Sequence, residues 1–181
     1  MPLDCFRTLQ LPRRPWLDEA AVRDRFHQLA ADVHPDVAEG SAGEFADLNQ
    51  AWQTLRSPAS RLRHFLELEH PDQLHPTQFT VPKDPELFMQ VSELQHTAKA
   101  LASELTESKS PLSRALLEPR RLKLLQMIER LGTEVAGQIA AVHRVIQSPH
   151  PTPESLASAL NELIFLEKWN GQLRESHLAM G

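Results

Sequence analysis

Apolar residues recur along this chain at steps of three and four, with no sustained alternation at steps of two. That period gathers them on one face of a helix, whereas a strand needs alternation. A first, short helix is expected over residues 4–10, stopped by Pro12. A second is expected over residues 17–33. Asp18 can cap it, and Glu19 sits in its first turn, near the positive end of the helix dipole. Its stripe is Val22, Phe26, Leu29 and Val33. Pro35 bars continuation, and a loop containing Gly40 and Gly43 follows. A third helix starts near Glu44 with Phe45, Leu48, Trp52 and Leu55 on one stripe, and ends near Ser57. Ser57-Pro58 reads as an N-cap followed by proline at the first helical position. The short fourth helix then presents Leu62, Phe65 and Leu66 on one face.

Residues 70–85 hold four prolines and no helical period, so they read as a connection. Three longer helices follow. The first covers about residues 85–108, with Leu87, Val91, Leu94, Ala98, Leu101 and Leu105 in line. The second covers about residues 119–147, after a short lead-in from Pro111. Its stripe is Leu124, Ile128, Leu131, Val135, Ile139, Val142 and Ile146. The third covers about residues 153–177, capped by Thr152, with Leu156, Leu160 and Leu163 inward and Leu166 and Leu173 at the margin. Three such helices on short connections bury their stripes most simply as an antiparallel bundle. The expected fold is therefore all-α: an antiparallel helical hairpin with flanking short helices over residues 1–72, a proline-rich linker over 73–84, and a three-helix bundle over 85–181.

Composition narrows the function. Net charge is −5, which gives no electrostatic case for binding nucleic acid. Residues 1–72 carry eight arginines, no lysine and twelve acids, so most of the acidity lies there. No apolar run approaches the ~18 residues of a membrane span. The start, MPLDCFRTLQLPRRP, lacks the pattern of a signal peptide, so a cytoplasmic protein without membrane attachment is expected. The lone cysteine, Cys5, leaves no internal disulfide and reads as a small buried apolar side chain. Nine histidines are present, but no HExxH or CxxC pattern, and no Gly-rich phosphate loop. No catalytic residue, metal site or cofactor is expected.

The chemistry concentrates at His34-Pro35-Asp36, between the second and third helices. Pro35 ends one helix and sets the turn. Asp36 then offers a carboxylate at a loop tip, where a partner's arginine can grip it at two points. His34 stands at a helix C-terminus, where its charged form is favoured. This is the chemistry of recognition. The same tripeptide at His70-Pro71-Asp72 has no hairpin around it and reads as a helix terminus.

With this hairpin, residues 4–69 resemble a J-domain. Asp4-Cys5-Phe6, Leu11-Pro12, Phe26, His34-Pro35-Asp36 and the run Leu48-Asn49-Gln50-Ala51-Trp52-Gln53-Thr54-Leu55-Arg56 are similar to the HscB family of iron–sulfur co-chaperones. Leu87-Phe88-Met89 and Phe165-Leu166-Glu167-Lys168 extend that resemblance over nearly the whole chain. The resemblance implies a non-enzymatic co-chaperone, active in protein folding and iron–sulfur cluster assembly. Its J-domain would activate the ATPase of a DnaK/HscA-type chaperone through His34, Pro35 and Asp36, with Arg23 and Arg25 on the preceding helix. Its bundle would hold an IscU-like iron–sulfur scaffold protein as client. Two other readings stay open: a J-domain protein whose bundle takes a different client, and a helical metal-dependent enzyme built on scattered histidines.

Helical phase gives a candidate client face. At 100° per residue, Phe165 falls about 180° and Trp169 about 220° from Leu156, opposite the expected inward stripe. Phe88 and Met89 likewise fall off the Leu87-Val91-Leu94 stripe. Phe88, Met89, Ser92, Glu93, His96, Phe165 and Trp169 are thus the expected client-binding residues. Two departures from the resemblance stand out. Ala30, Ala31 and Asp32 thin the positive charge of the second helix, and Val37 follows the tripeptide where lysine is usual. On the client side, Ser92, His96 and Ala100 stand where leucine or acids are common.

Overall fold

The computed structural model describes residues 3–33, 42–74 and 82–180. Among them every regular element is helical. In chain order these are α1 (Cys5–Thr8), α2 (Glu19–Asp32), α3 (Ala42–Leu55), α4 (Pro58–Glu69), a 3-10 turn (Pro71–Gln73), α5 (Pro85–Glu107), α6 (Pro111–Ile146) and α7 (Pro153–Met180). Among the described residues, no helix is long and apolar enough to cross a membrane.

The helix starts follow from local capping. Asp18 accepts the N–H of Ala21 at 2.9 Å, and Ser57 Oγ accepts that of Ser60 at 3.2 Å. Asp84 does the same for Leu87 at 2.9 Å, and Thr152 for Ser155 at 3.2 Å. Each bond satisfies an N–H that the first turn leaves without a helical acceptor. One boundary differs from expectation. The lead-in from Pro111 and the helix after Pro119 form one continuous α6, with Pro119 inside it. A proline deletes one backbone bond and costs ~3 kcal/mol, but the intact turns on both sides carry the helix through.

The chain divides into two compact units, one of residues 1–78 with 143–160 and one of residues 79–142 with 161–181. In the first unit α3 is central, packing against α1, α2 and α4. The core holds Cys5, Phe6, Leu9, Val22, Leu48, Ala51 and Leu55, with Phe26, Leu29, Val33 and Trp52 packed on it. The Phe26 and Trp52 rings stack at 5.0 Å. Two buried polar residues stitch this unit. His64 Nε2 accepts the backbone N–H of Cys5 at 3.1 Å. Arg61, wholly buried, donates from Nη1 to the Leu55 carbonyl at 3.0 Å, which satisfies an acceptor at the end of α3. The Arg61 guanidinium also lies 5.6 Å over the Trp16 ring, and the His143 ring meets Trp16 at 4.7 Å.

In the second unit, α5 buries Leu87, Val91, Leu94, Ala98 and Leu101, and α6 buries Leu124, Ile128, Leu131, Val135 and Val142. These are the expected stripes, except that Leu105 and Ile139 are only half-buried. On α7 the buried face is Leu163, Leu166, Trp169, Leu173, Ser176 and Met180. Arg120 of α6 pairs with Glu104 of α5 at 2.6 Å, and Arg121 donates to the Met180 carbonyl of α7. At the start of α5, Lys83 pairs with Glu162, and Gln138 donates to Asp84 at 3.3 Å.

Candidate functional site

Two surfaces were marked by the sequence. On the first, His34, Pro35 and Asp36 lie outside the described residues. The helix leading to them is described. Arg23 is exposed on α2, with Nε 3.5 Å from Asp24. Arg25 is partly buried and donates to Gln28 at 3.2 Å and to Gln10. Gln10 carries a φ of 52°, a left-handed conformation for a residue with a side chain. The two arginines therefore differ. Arg23 is open to a partner, whereas Arg25 is engaged with its own domain.

In the same unit, Asp4 caps α1 through the N–H of Arg7 at 3.2 Å. Arg13 grips the Asp4 carboxylate through Nη2 at 2.5 Å and Nε at 3.2 Å, and reaches Glu69 at 3.0 Å. Burial alone pushes the Asp4 carboxyl upward. Hydrogen bonds from Arg13 and Arg7 outweigh it, so the net shift is below the usual carboxylate range. Burial pushes the Cys5 thiol up. Cys5 is thus a packed side chain, 2% exposed, rather than a ready thiolate.

The second surface lies in the unit of α5, α6 and α7. Phe88, Ser92 and Gln95 of α5 face Phe165, Lys168, Trp169 and Gln172 of α7 across a groove of about 70 Å³. Its rings are arranged around one residue. Phe88 approaches Trp169 at 6.3 Å and Phe165 approaches it at 6.0 Å, both tilted. Phe88 is 46% exposed, Phe165 is partly buried, and Trp169 is 3% exposed. Trp169 is therefore the floor of the groove, and its expected place opposite the buried stripe is corrected. The cause is geometric. The expected phase was counted from Leu156, which belongs with the first unit. From Leu163 onward the buried positions step by three, three, four, three and four residues. Steps averaging less than 3.6 drift around the helix, and Trp169 enters the buried face with them.

The other expected client residues divide. Met89, 69% exposed, and His96 stand on the outer crest of α5. Glu93 lines a different groove, of about 360 Å³, whose walls include Leu94 of α5 and Leu124, Met127 and Arg130 of α6. Gln95, Lys168 and Gln172 also line the aromatic groove and are not among the expected client-binding residues. Their signal was helical spacing: Lys168 and Gln172 stand three and seven residues after Phe165, and Gln95 seven after Phe88. Among the described residues there is no group of three or more His, Cys, Asp or Glu side chains able to hold a metal ion.

Two comparisons with known proteins bear on these surfaces. Residues 4–65 match the family model of the DnaJ domain. The solved structure of chaperone HscB from Vibrio cholerae is similar over 94% of this chain and 95% of its own, with 20% sequence identity and a TM-score of 0.54. The DnaJ match spans α1, α2, α3 and the first part of α4, which Cys5, Phe6, Leu48 and Leu55 hold together. Residues 4–65 thus match a DnaJ domain, and the fold of the chain is similar to that of HscB.

Proposed function

We propose that this protein is a co-chaperone of iron–sulfur cluster assembly. Its J-domain, over residues 1–72, stimulates the ATPase of a DnaK/HscA-type chaperone. Its bundle, over residues 85–181, carries an IscU-like scaffold protein to that chaperone, with residues 73–84 as the link. The observation that supports this most is the joint one: a DnaJ domain at residues 4–65 in a chain whose fold is similar to HscB across both lengths. His34, Pro35 and Asp36, with Arg23, meet the chaperone. The aromatic groove around Phe88, Phe165 and Trp169 meets the client. Such a protein is a tether and an activator, and it performs no bond-making chemistry of its own.

The test measures steady-state ATP hydrolysis by a purified DnaK/HscA-type chaperone, with and without this protein, and with and without the scaffold. Stimulation is expected from the wild type and is greatest with the scaffold present. Asp36→Asn is expected to abolish it while helicity and melting temperature stay unchanged, because the carboxylate serves a partner rather than the fold. Full stimulation by Asp36→Asn would overturn the proposal.

A further inference from the structure

We propose that the α5/α7 groove selects a partner segment carrying an apolar side chain beside a carboxylate, with Lys168 receiving the carboxylate. This rests on reading that groove as the client site, and it adds the chemistry of what the groove accepts.

Size comes first. At about 70 Å³ the groove falls far below the ~300 Å³ of a small-molecule pocket. It has room for one side chain of a larger partner. Its floor and walls are aromatic: Trp169 underneath, with Phe88 and Phe165 beside it. An apolar side chain is the occupant that such rings reward, because it leaves no polar group unpaired.

Charge comes second. Of the seven lining residues, Lys168 alone is charged, and none is a carboxylate. Ser92, Gln95 and Gln172 supply neutral hydroxyl and amide groups that can pair with the partner's backbone. On the crest of α5 beside the groove, Met89, His96 and Ala100 likewise add no acid. Glu93, the acid of that stretch, lines the opposite flank. Lys168 is thus the one charged side chain lining the groove, on a chain of net charge −5. Lys168 is exposed on a flexible stem, so its ammonium can follow a carboxylate placed next to the buried apolar group. A basic segment would meet an uncompensated like charge there.

The test uses the full-length protein and a purified IscU-like scaffold. Affinity is measured by calorimetry at low and high salt for the wild type, Lys168→Glu, Lys168→Arg and Phe88→Ala. Lys168→Glu is expected to weaken binding about tenfold at low salt and to invert the salt dependence, since a rim charge acts through encounter and pairing. Lys168→Arg is expected to bind as the wild type does. A carbodiimide, which joins an amine to an adjacent carboxylate without a spacer, is expected to cross-link Lys168 to an Asp or Glu of the scaffold. Melting curves should not move, because the substituted side chain is exposed. If Phe88→Ala loses binding while Lys168→Glu keeps both affinity and salt dependence, the client reading stands and this inference falls. If Phe88→Ala and Lys168→Glu both bind like the wild type, or if the wild type binds no scaffold, the client reading falls and takes the inference with it.

Discussion

The backbone N–H of Cys5 donates to Nε2 of His64 at 3.1 Å, in the buried interior of the first unit. Nε2 is the acceptor, so the ring hydrogen sits on Nδ1, which lies 3.5 Å from Glu67. The same ring stacks on Phe6 at 5.7 Å. His64 thus joins α4 to the start of α1 by a hydrogen bond and by packing together. Replacing His64 with Phe keeps the stacking and removes the acceptor. The expected cost is about 1–3 kcal/mol, the penalty of a buried donor left unpaired. Urea denaturation of the mutant and wild type measures it. A change under a few tenths of a kcal/mol would show that the bond contributes nothing.

Asp4 and Arg13 predict the acid limit of the J-domain. Arg13 and the N–H of Arg7 hold the Asp4 carboxyl below its usual value. A depressed carboxylate contributes stability that is complete above its unfolded value of ~3.9 and is lost as pH falls through the lower folded value. Asp4→Ala should therefore lower stability by about 1 kcal/mol at neutral pH, the usual worth of an N-cap. Its difference from the wild type should shrink toward zero as the pH drops below the carboxylate range. Melting temperatures from pH 6 to pH 2 test the sign. A gap that widens with acid would contradict it.

Trp169 and Phe88 should separate stability from binding. Trp169 is 3% exposed beneath the groove, so Trp169→Ala is expected to cost about 3–5 kcal/mol and to weaken the bundle itself. Leu160→Ala and Leu163→Ala, both fully buried, should cost about 2–5 kcal/mol each. Phe88, 46% exposed, should be lost with little change in melting temperature and a loss of client affinity worth about 2 kcal/mol. Circular dichroism melts beside scaffold titrations distinguish the two classes. A Phe88→Ala protein that melts like Trp169→Ala would place Phe88 in the core.

Arg23 is exposed on α2, and under the proposed function this helix is the electrostatic handle for a chaperone. Ala31 is exposed on the same helix. Ala31→Arg is expected to raise the association rate with an acidic ATPase surface, most clearly at low salt, and Arg23→Ala to lower it. Arg25→Ala should disturb the first unit as well, because Arg25 bonds Gln10 and Gln28. Stopped-flow association at two ionic strengths reads these effects. Rates independent of salt would exclude α2 from the contact.

The sequence by itself determined the helices and most of the faces they bury. Asp18, Ser57 and Thr152 cap where the sequence predicts them to. Val22, Leu48 and Leu55 are buried on their stripes, as are Leu87, Val91 and Leu94. These are local properties: a cap acts across three residues and a stripe repeats every three or four, so the chain carries them before it folds. Phe88, Ser92 and Phe165 were legible as groove residues for the same reason. Tertiary structure alone decided the burial of Arg61 and His64. Polar residues of that kind are buried only when distant groups meet them, here the Leu55 carbonyl, the Trp16 ring and the Cys5 N–H. It also decided that Trp169 is the floor of the groove and Lys168 its charged rim. A helix phase counted from Leu156 cannot foresee this, because what covers a face depends on which elements are packed against it, and along α7 the covered face drifts.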